Sequence, residues 1–342
     1  MTPIVPLDRS QEAAFRAVVD GKAKPPGALG KVEDLAVRLA LIAGRPDPTF
    51  DKALLLVFAG DHGLNESGVS AYPSAVTTAM VATLLAGKAS ANAFAGAVGA
   101  RVMVVDAGVD ADLPPHPALI DAKVRKGTRN AERGPALTPA EVESALARGG
   151  AIARNAVEAD GVQVLAVGEM GIGNSASAAL VLHRLAPAPL ADCIGLGAGH
   201  DPQGLARKHA VLAAAAARSD ATDPREVLAQ FGGLEIIAMA GAILGAAAAR
   251  TPVLIDGFIA STAALAAIRL DPACADFCIF THRSAEKGHA VVLAAAGADP
   301  LLDLSMRLGE GTGALLALPM VRAAAALLRE VASLDDVLAG RL

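Results

Sequence analysis

Residues 162–180 read "VQVLAVGEMGIGNSASAAL". The run 162–167 is short, apolar and β-rich, while 175–185 has helical character. Between them Gly168, Gly171 and Gly173 interrupt both patterns. A strand, a glycine turn and a helix in direct succession form half of a parallel crossover, because parallel neighbours cannot be joined by a hairpin. The same alternation recurs along the chain. Further candidate strands are 53–59, 101–106, 191–195, 252–256 and 276–280, and further helical stretches are 74–98, 138–158, 202–217, 233–249 and 259–269. The expected fold is therefore α/β: a doubly wound, mostly parallel, six-stranded Rossmann-like sheet with helices on both faces. Residues 1–45 and 312–342 show helical patterns without strands, so the expectation is an α/β domain over 46–311 and a small helical subdomain from the two termini.

Composition narrows the function classes. The 342 residues are 53% hydrophobic, with mean hydropathy +0.45. The longest apolar run, 236–249, lies between Glu235 and Arg250 and falls short of the ~20 residues a bilayer requires. Alanine supplies much of the apolar count, which suits close-packed helices. The N-terminus lacks a basic segment followed by an apolar one, and Cys193, Cys274 and Cys278 form no disulfide or metal framework. A cytoplasmic protein is the expectation. Net charge is −5, no basic block appears, and the chain has no Trp and one Tyr, so nucleic acid and membrane are not expected partners.

Open α/β sheets bind ligands at the carboxyl ends of their strands. The glycine-bearing loops 60–73, 168–180, 196–201 and 257–261 follow candidate strands and would share that rim. At Gly171 and Gly173 two readings stay open: a turn that needs glycine for geometry alone, or a backbone approach to a ligand phosphate at a helix N-terminus. Lys208 reads either as a solvated helix lysine or as a phosphate contact. No Gly-Lys-Ser/Thr follows, so P-loop chemistry is disfavoured, and "GLGAG" (195–199) is not the Gly-x-Gly-x-x-Gly of dinucleotide enzymes. No Gly-x-Ser-x-Gly elbow is present either. "HRSAEKGH" (282–289) lacks the zinc spacing, so helix capping by Ser284 with hydrogen-bonded histidines is expected and no metal or other cofactor. Glu169 and Glu310 stand in glycine loops, where a carboxylate either braces the loop or, in a dry cleft, accepts a proton.

Seven stretches carry a family resemblance: 24–36 ("KPPGALGKVEDLA"), 58–73 ("FAGDHGLNESGVSAYP"), 168–179, 232–247 ("GGLEIIAMAGAILGAA"), 252–261 ("PVLIDGFIAS"), 282–289 and 303–319 ("DLSMRLGEGTGALLALP"). In this order, over nearly the whole chain, they resemble the nicotinate-nucleotide:dimethylbenzimidazole phosphoribosyltransferases of cobalamin lower-ligand synthesis. The resemblance implies a homodimeric enzyme that moves the phosphoribosyl group of nicotinate mononucleotide to 5,6-dimethylbenzimidazole or a related base. It implies inversion from β to α, Glu310 as proton acceptor, and Glu169 sharing in stabilisation of a cationic transition state. Gly171, Gly173, Asn174, Ser175, Gly197, Gly199, Lys208, Ser284 and Gly313 would form the phosphate and ribose side, with Asp256 at the same rim. Ser70, Tyr72 and Leu308 would wall the base slot. The chain departs from the family pattern at Ala28, Ala79, Ala176 and Ala198, where a hydroxyl or amide is usual. Two competing readings are a non-catalytic nucleotide-binding or sensor paralogue, and a dehydrogenase, which the missing dinucleotide fingerprint disfavours.

Overall fold

Ala53–Gly60 (β1) reads "ALLLVFAG", and all eight residues are buried. A strand dry on both faces belongs in the middle of a parallel sheet covered by helices. In the computed structural model, which describes residues 2–197 and 201–341, β1 lies between two parallel neighbours: β2 (Ala100–Gly108) and β4 (Val164–Met170). β3 (Leu119–Asp121) pairs with β2, β5 (Val253–Ile255) with β4, and β6 (Cys278–Phe280) with β5, all parallel. The strand order is β3-β2-β1-β4-β5-β6, the order of doubly wound Rossmann-like sheets, whose direction reverses between β1 and β4. A two-stranded ribbon, β7 (His282–Arg283) with β8 (Leu302–Asp303), stands apart.

The helices follow in chain order. α1 (Glu12–Asp20) and α2 (Lys31–Ala43) precede the sheet, and α3 (Ala75–Leu85) with α4 (Ser90–Val98) connects β1 to β2. α5 (Pro139–Glu158) leads into β4; α6 (Asn174–Leu185), α7 (Leu190–Cys193), α8 (Pro202–Ala216), α9 (Pro224–Phe231) and α10 (Leu234–Ala248) separate β4 from β5. α11 (Phe258–Leu270) follows β5, α12 (Gly288–Ala296) follows β7, and α13 (Thr312–Glu330) and α14 (Leu334–Leu338) end the chain. α10 is buried along nearly its whole length, so the apolar run at 236–249 belongs to the core of the single chain. It crosses α5 backbone to backbone: a Cβ on Gly149 would lie 1.8 Å from the Ala238 carbonyl oxygen. Two stretches, Ala75–Val98 and Thr312–Glu330, are long and apolar enough to cross a bilayer by length and composition; the first is split into α3 and α4, and the second packs into the protein.

Two strand expectations are corrected. Residues 191–195 are not a strand, since Leu190–Cys193 forms the short helix α7 entered from Pro189. The sixth strand is instead β3, three half-exposed residues at a sheet edge with no apolar run to announce them. The stretch 74–98 is likewise two helices, separated around Gly87, whose φ is +72°. At the termini, α2 packs on α13, Lys22 pairs with Ser333, and the Lys22 ammonium donates to the Leu328 and Val331 carbonyls at 2.7 and 2.9 Å.

Candidate active site

Where β1 and β4 end side by side, the chain leaves them to form a cleft of about 250 Å³ at the carboxyl rim of the sheet. β4 delivers Glu169 into it directly, in register with Phe58 of β1. The Glu169 carboxylate accepts from the Asn174 side-chain amide, and its other oxygen lies against Gly309, where a Cβ would stand only 2.2 Å away. Burial, then the charges of Asp256 and Glu235, push its pKa up to about 8. An empty cleft at neutral pH therefore favours the protonated acid, and a cationic ligand would favour the carboxylate.

The other end of the cleft suits an anion. Gly173 (φ +93°) begins α6 without any side-chain cap, and Gly171, Gly173, Asn174 and Ser175 all line the cleft beside the open helix end. Lys208 is 1% exposed and stands one layer behind, donating to Ser175 Oγ at 3.0 Å and to the Gly195 carbonyl at 3.2 Å. Burial lowers its pKa to about 8, against the pull of Glu286. Gly197 lines the cleft where a Cβ would press on both Ser175 Oγ and Lys208 Nζ, at 3.0 and 3.2 Å. Gly199, like Ala198, lies outside the described residues. Lys208 is thus no solvated helix lysine.

Ser284 also lines the cleft, but it caps no helix, because α12 begins at Gly288 with Lys287 as its N-cap. Instead its amide donates to His289 Nδ1 at 2.7 Å. His289 Nε2 lies 3.0 Å from Ser261 Oγ. Burial and the neighbouring His282 lower the His289 pKa to about 4, so the ring is neutral, with its proton on Nε2 directed to Ser261. Among the described residues no group of three or more His, Cys, Asp or Glu side chains converges as a metal site.

Asp256, at the end of β5, is 2% exposed and organises the opposite wall. It accepts from the amides of Gly311 (3.0 Å), Gly313 (2.8 Å) and Ala314 (3.3 Å), the first turn of α13. An anion at a helix N-terminus is favoured by the dipole as well as by these bonds. Gly313 is therefore engaged with Asp256, and its Cα packs against the His282 ring, where a Cβ would meet Cδ2 at 1.9 Å. His282 itself lines the cleft, with Nε2 3.4 Å from Asp256 Oδ1 and Nδ1 without a hydrogen-bond partner among the described residues.

Asp256 thereby fixes the loop of Gly309 (φ +91°), Glu310 (φ +60°) and Gly311 (φ +82°), three consecutive left-handed residues. Glutamate in that conformation is uncommon and signals a backbone held for a purpose. Gly309 lines the cleft, while the Glu310 side chain, 2% exposed, turns in behind it toward α4. Its Oε2 accepts from the Ala91 amide at 3.3 Å, and Oε1 has no hydrogen bond among the described residues. Burial raises its pKa, the Ala91 bond opposes this, and Asp256 adds to the rise. Ser70 and Leu308 line the same end of the cleft; Tyr72, 47% exposed, stands outside it, its amide donating to Ser70 Oγ at 3.2 Å. The lining also includes His282, expected only as a hydrogen-bonded histidine, Phe258 and Ile259 of the expected rim loop 257–261, and Arg307, for which the sequence carries no expectation.

The strand order and the crevice at its reversal define a Rossmann-like α/β protein whose binding site is made of strand ends and glycine turns. A phosphoribosyltransferase family model matches residues 4–337. The nicotinate-nucleotide–dimethylbenzimidazole phosphoribosyltransferase of Ralstonia nicotianae is 52% identical, covering 97% of this chain and 94% of its own length. That of Cupriavidus necator is 49% identical over 96% of this chain and 95% of its own. The crystal structure of the Thermus thermophilus enzyme of the same name superposes with TM-score 0.92 at 43% identity, covering 98% of this chain and 99% of that one. The chain belongs to this phosphoribosyltransferase family and is an enzyme.

Proposed function

We propose that this enzyme transfers the phosphoribosyl group of nicotinate mononucleotide to 5,6-dimethylbenzimidazole or a related base, releasing nicotinate and an α-riboside 5′-phosphate in cobalamin lower-ligand synthesis. The cationic pyridinium leaves as a neutral ring nitrogen once the C1′–N bond breaks, so its departure needs no acid. The free ring nitrogen of the benzimidazole attacks C1′ from the opposite face, which inverts the anomeric carbon. Its other ring nitrogen loses a proton to Glu310.

The observation that carries this reading is the setting of Glu310. It is a buried side chain in a strained glycine loop, with one oxygen held by Ala91 and the other without a hydrogen bond among the described residues. The open end of α6, backed by Ser175 and Lys208, suits the ribose phosphate, with Gly197 and Ser284 alongside. Glu169 suits the arriving pyridinium and the oxocarbenium-like transition state, and Asp256 serves by holding the Glu310 loop through the Gly311 and Gly313 amides. Ser70, Leu308 and, from outside, Tyr72 border the base. Holding donor and acceptor in line supplies much of the rate through proximity. The enzyme works as a cytoplasmic homodimer without cofactor. Glu310→Gln tests the assignment: nucleotide affinity stays, and turnover falls by roughly 100-fold or more. Undiminished turnover would move the proton to another acceptor, Glu169 first.

A further inference from the structure

Beneath the cleft, and outside the roles above, lies a second pair of ionisable side chains. His62 Nε2 is 2.7 Å from Glu235 Oε1, with side chains 1% and 0% exposed. The space they fill is created by absent side chains. A Cβ on Gly233 would stand 2.3 Å from His62 Cε1, and one on Gly60 2.9 Å from Glu235 Oε2. Toward the ligand side, a Cβ on Gly171 would lie 3.4 Å from His62 Nε2. The imidazole therefore supports the turn that lines the cleft. Glu235 sits in the first turn of α10, where the helix dipole favours negative charge. Its Oε2 is buried without a hydrogen-bond partner among the described residues.

We infer that His62 and Glu235 form a buried imidazolium–carboxylate pair that places a compensating positive charge under the Gly171–Gly173 turn and keeps Glu169 able to ionise when the cationic substrate enters. The need for such a charge is visible in the surroundings of Glu169. Asp256 faces it from the end of β5, Glu235 from α10 and Glu310 from the α13 loop, all raising its pKa, and the Asn174 amide opposes them. His62 is faced by Glu235 and Asp61, which together overcome burial and raise its pKa. An unpaired Glu235 carboxylate would add its full charge to that cluster, whereas the pair presents little net charge. His62 and Glu235 are thus positioning residues, acting on the substrate only through Glu169.

The inference rests on the proposed ligand but not on turnover. In the full chain labelled with ¹⁵N-histidine, both His62 ring nitrogens should carry protons at pH 7.5; a neutral ring would overturn the pair. Calorimetric affinity for nicotinate mononucleotide is then followed against pH. His62→Asn should move the midpoint of its rise upward by ~1 unit, a loss of about tenfold at pH 7. Adding Glu235→Gln should return the midpoint to its wild-type position. Uniform weakening at every pH, or a double variant no better than the single one, would make the pair merely structural. Binding without release of nicotinate would sink the proposed reaction and leave this result standing.

Discussion

Asp256 and Glu310 work as one unit at the level of single residues. The Asp256 carboxylate accepts three amides around the loop that carries Glu310. Removing it leaves those buried donors unpaired, so Asp256→Ala should cost about 2–4 kcal/mol of unfolding free energy. Urea denaturation checks this, and a loss below about 0.5 kcal/mol would contradict the capping role. The sequence marks Glu169 and Glu310 as acids in glycine-rich stretches; Glu169 lies at the end of β4 in the cleft lining, and Glu310 lies behind Gly309. The burial of Lys208 and the engagement of Gly313 with Asp256 were not legible there. Both depend on segments far apart in the chain meeting at one rim, and no local pattern records that approach.

Between elements, α5 and α10 meet backbone to backbone. Gly149 meets the Ala238 carbonyl, a backbone atom that no rotamer change can move. Gly149→Ala should therefore separate the helices and destabilise the fold by about 2 kcal/mol or more. An unchanged melting temperature would show that the crossing tolerates a methyl group. Most helices and the central strands could be read from apolar periodicity, since their packing is repeated along their length. The exceptions have local causes. Residues 191–193 instead continue α7, which is entered from Pro189, and β3 is too short and too exposed to leave a pattern. The break between α3 and α4 comes with the positive φ of Gly87 inside an otherwise helical composition.

Over the whole molecule, the strand order is the feature a linear reading could not supply, because adjacency of β1 and β4 is set by which crossovers pack and not by any residue. That adjacency concentrates acids at one rim and couples stability to pH. Glu169 is pushed up to about 8 in the native state, against about 4.3 for an unfolded glutamate. Between those values the native state holds the extra proton, so this contribution is complete below pH 4 and is lost as pH rises toward 8. The melting temperature of the free enzyme should fall across that window, and Glu169→Gln should make the fall shallower. Equal slopes in the two proteins would mean that Glu169 ionises as freely in the fold as in the open chain.

The central claim is transfer at a cleft in which Glu310 takes the proton of the incoming base. Its most direct test incubates the purified enzyme with nicotinate mononucleotide and 5,6-dimethylbenzimidazole, then measures both products and their anomeric configuration. The account predicts equimolar nicotinate and α-riboside phosphate, with Glu310→Gln slower by roughly 100-fold at unaltered nucleotide affinity. No nicotinate release at saturating substrates, or a β-configured product, would contradict it.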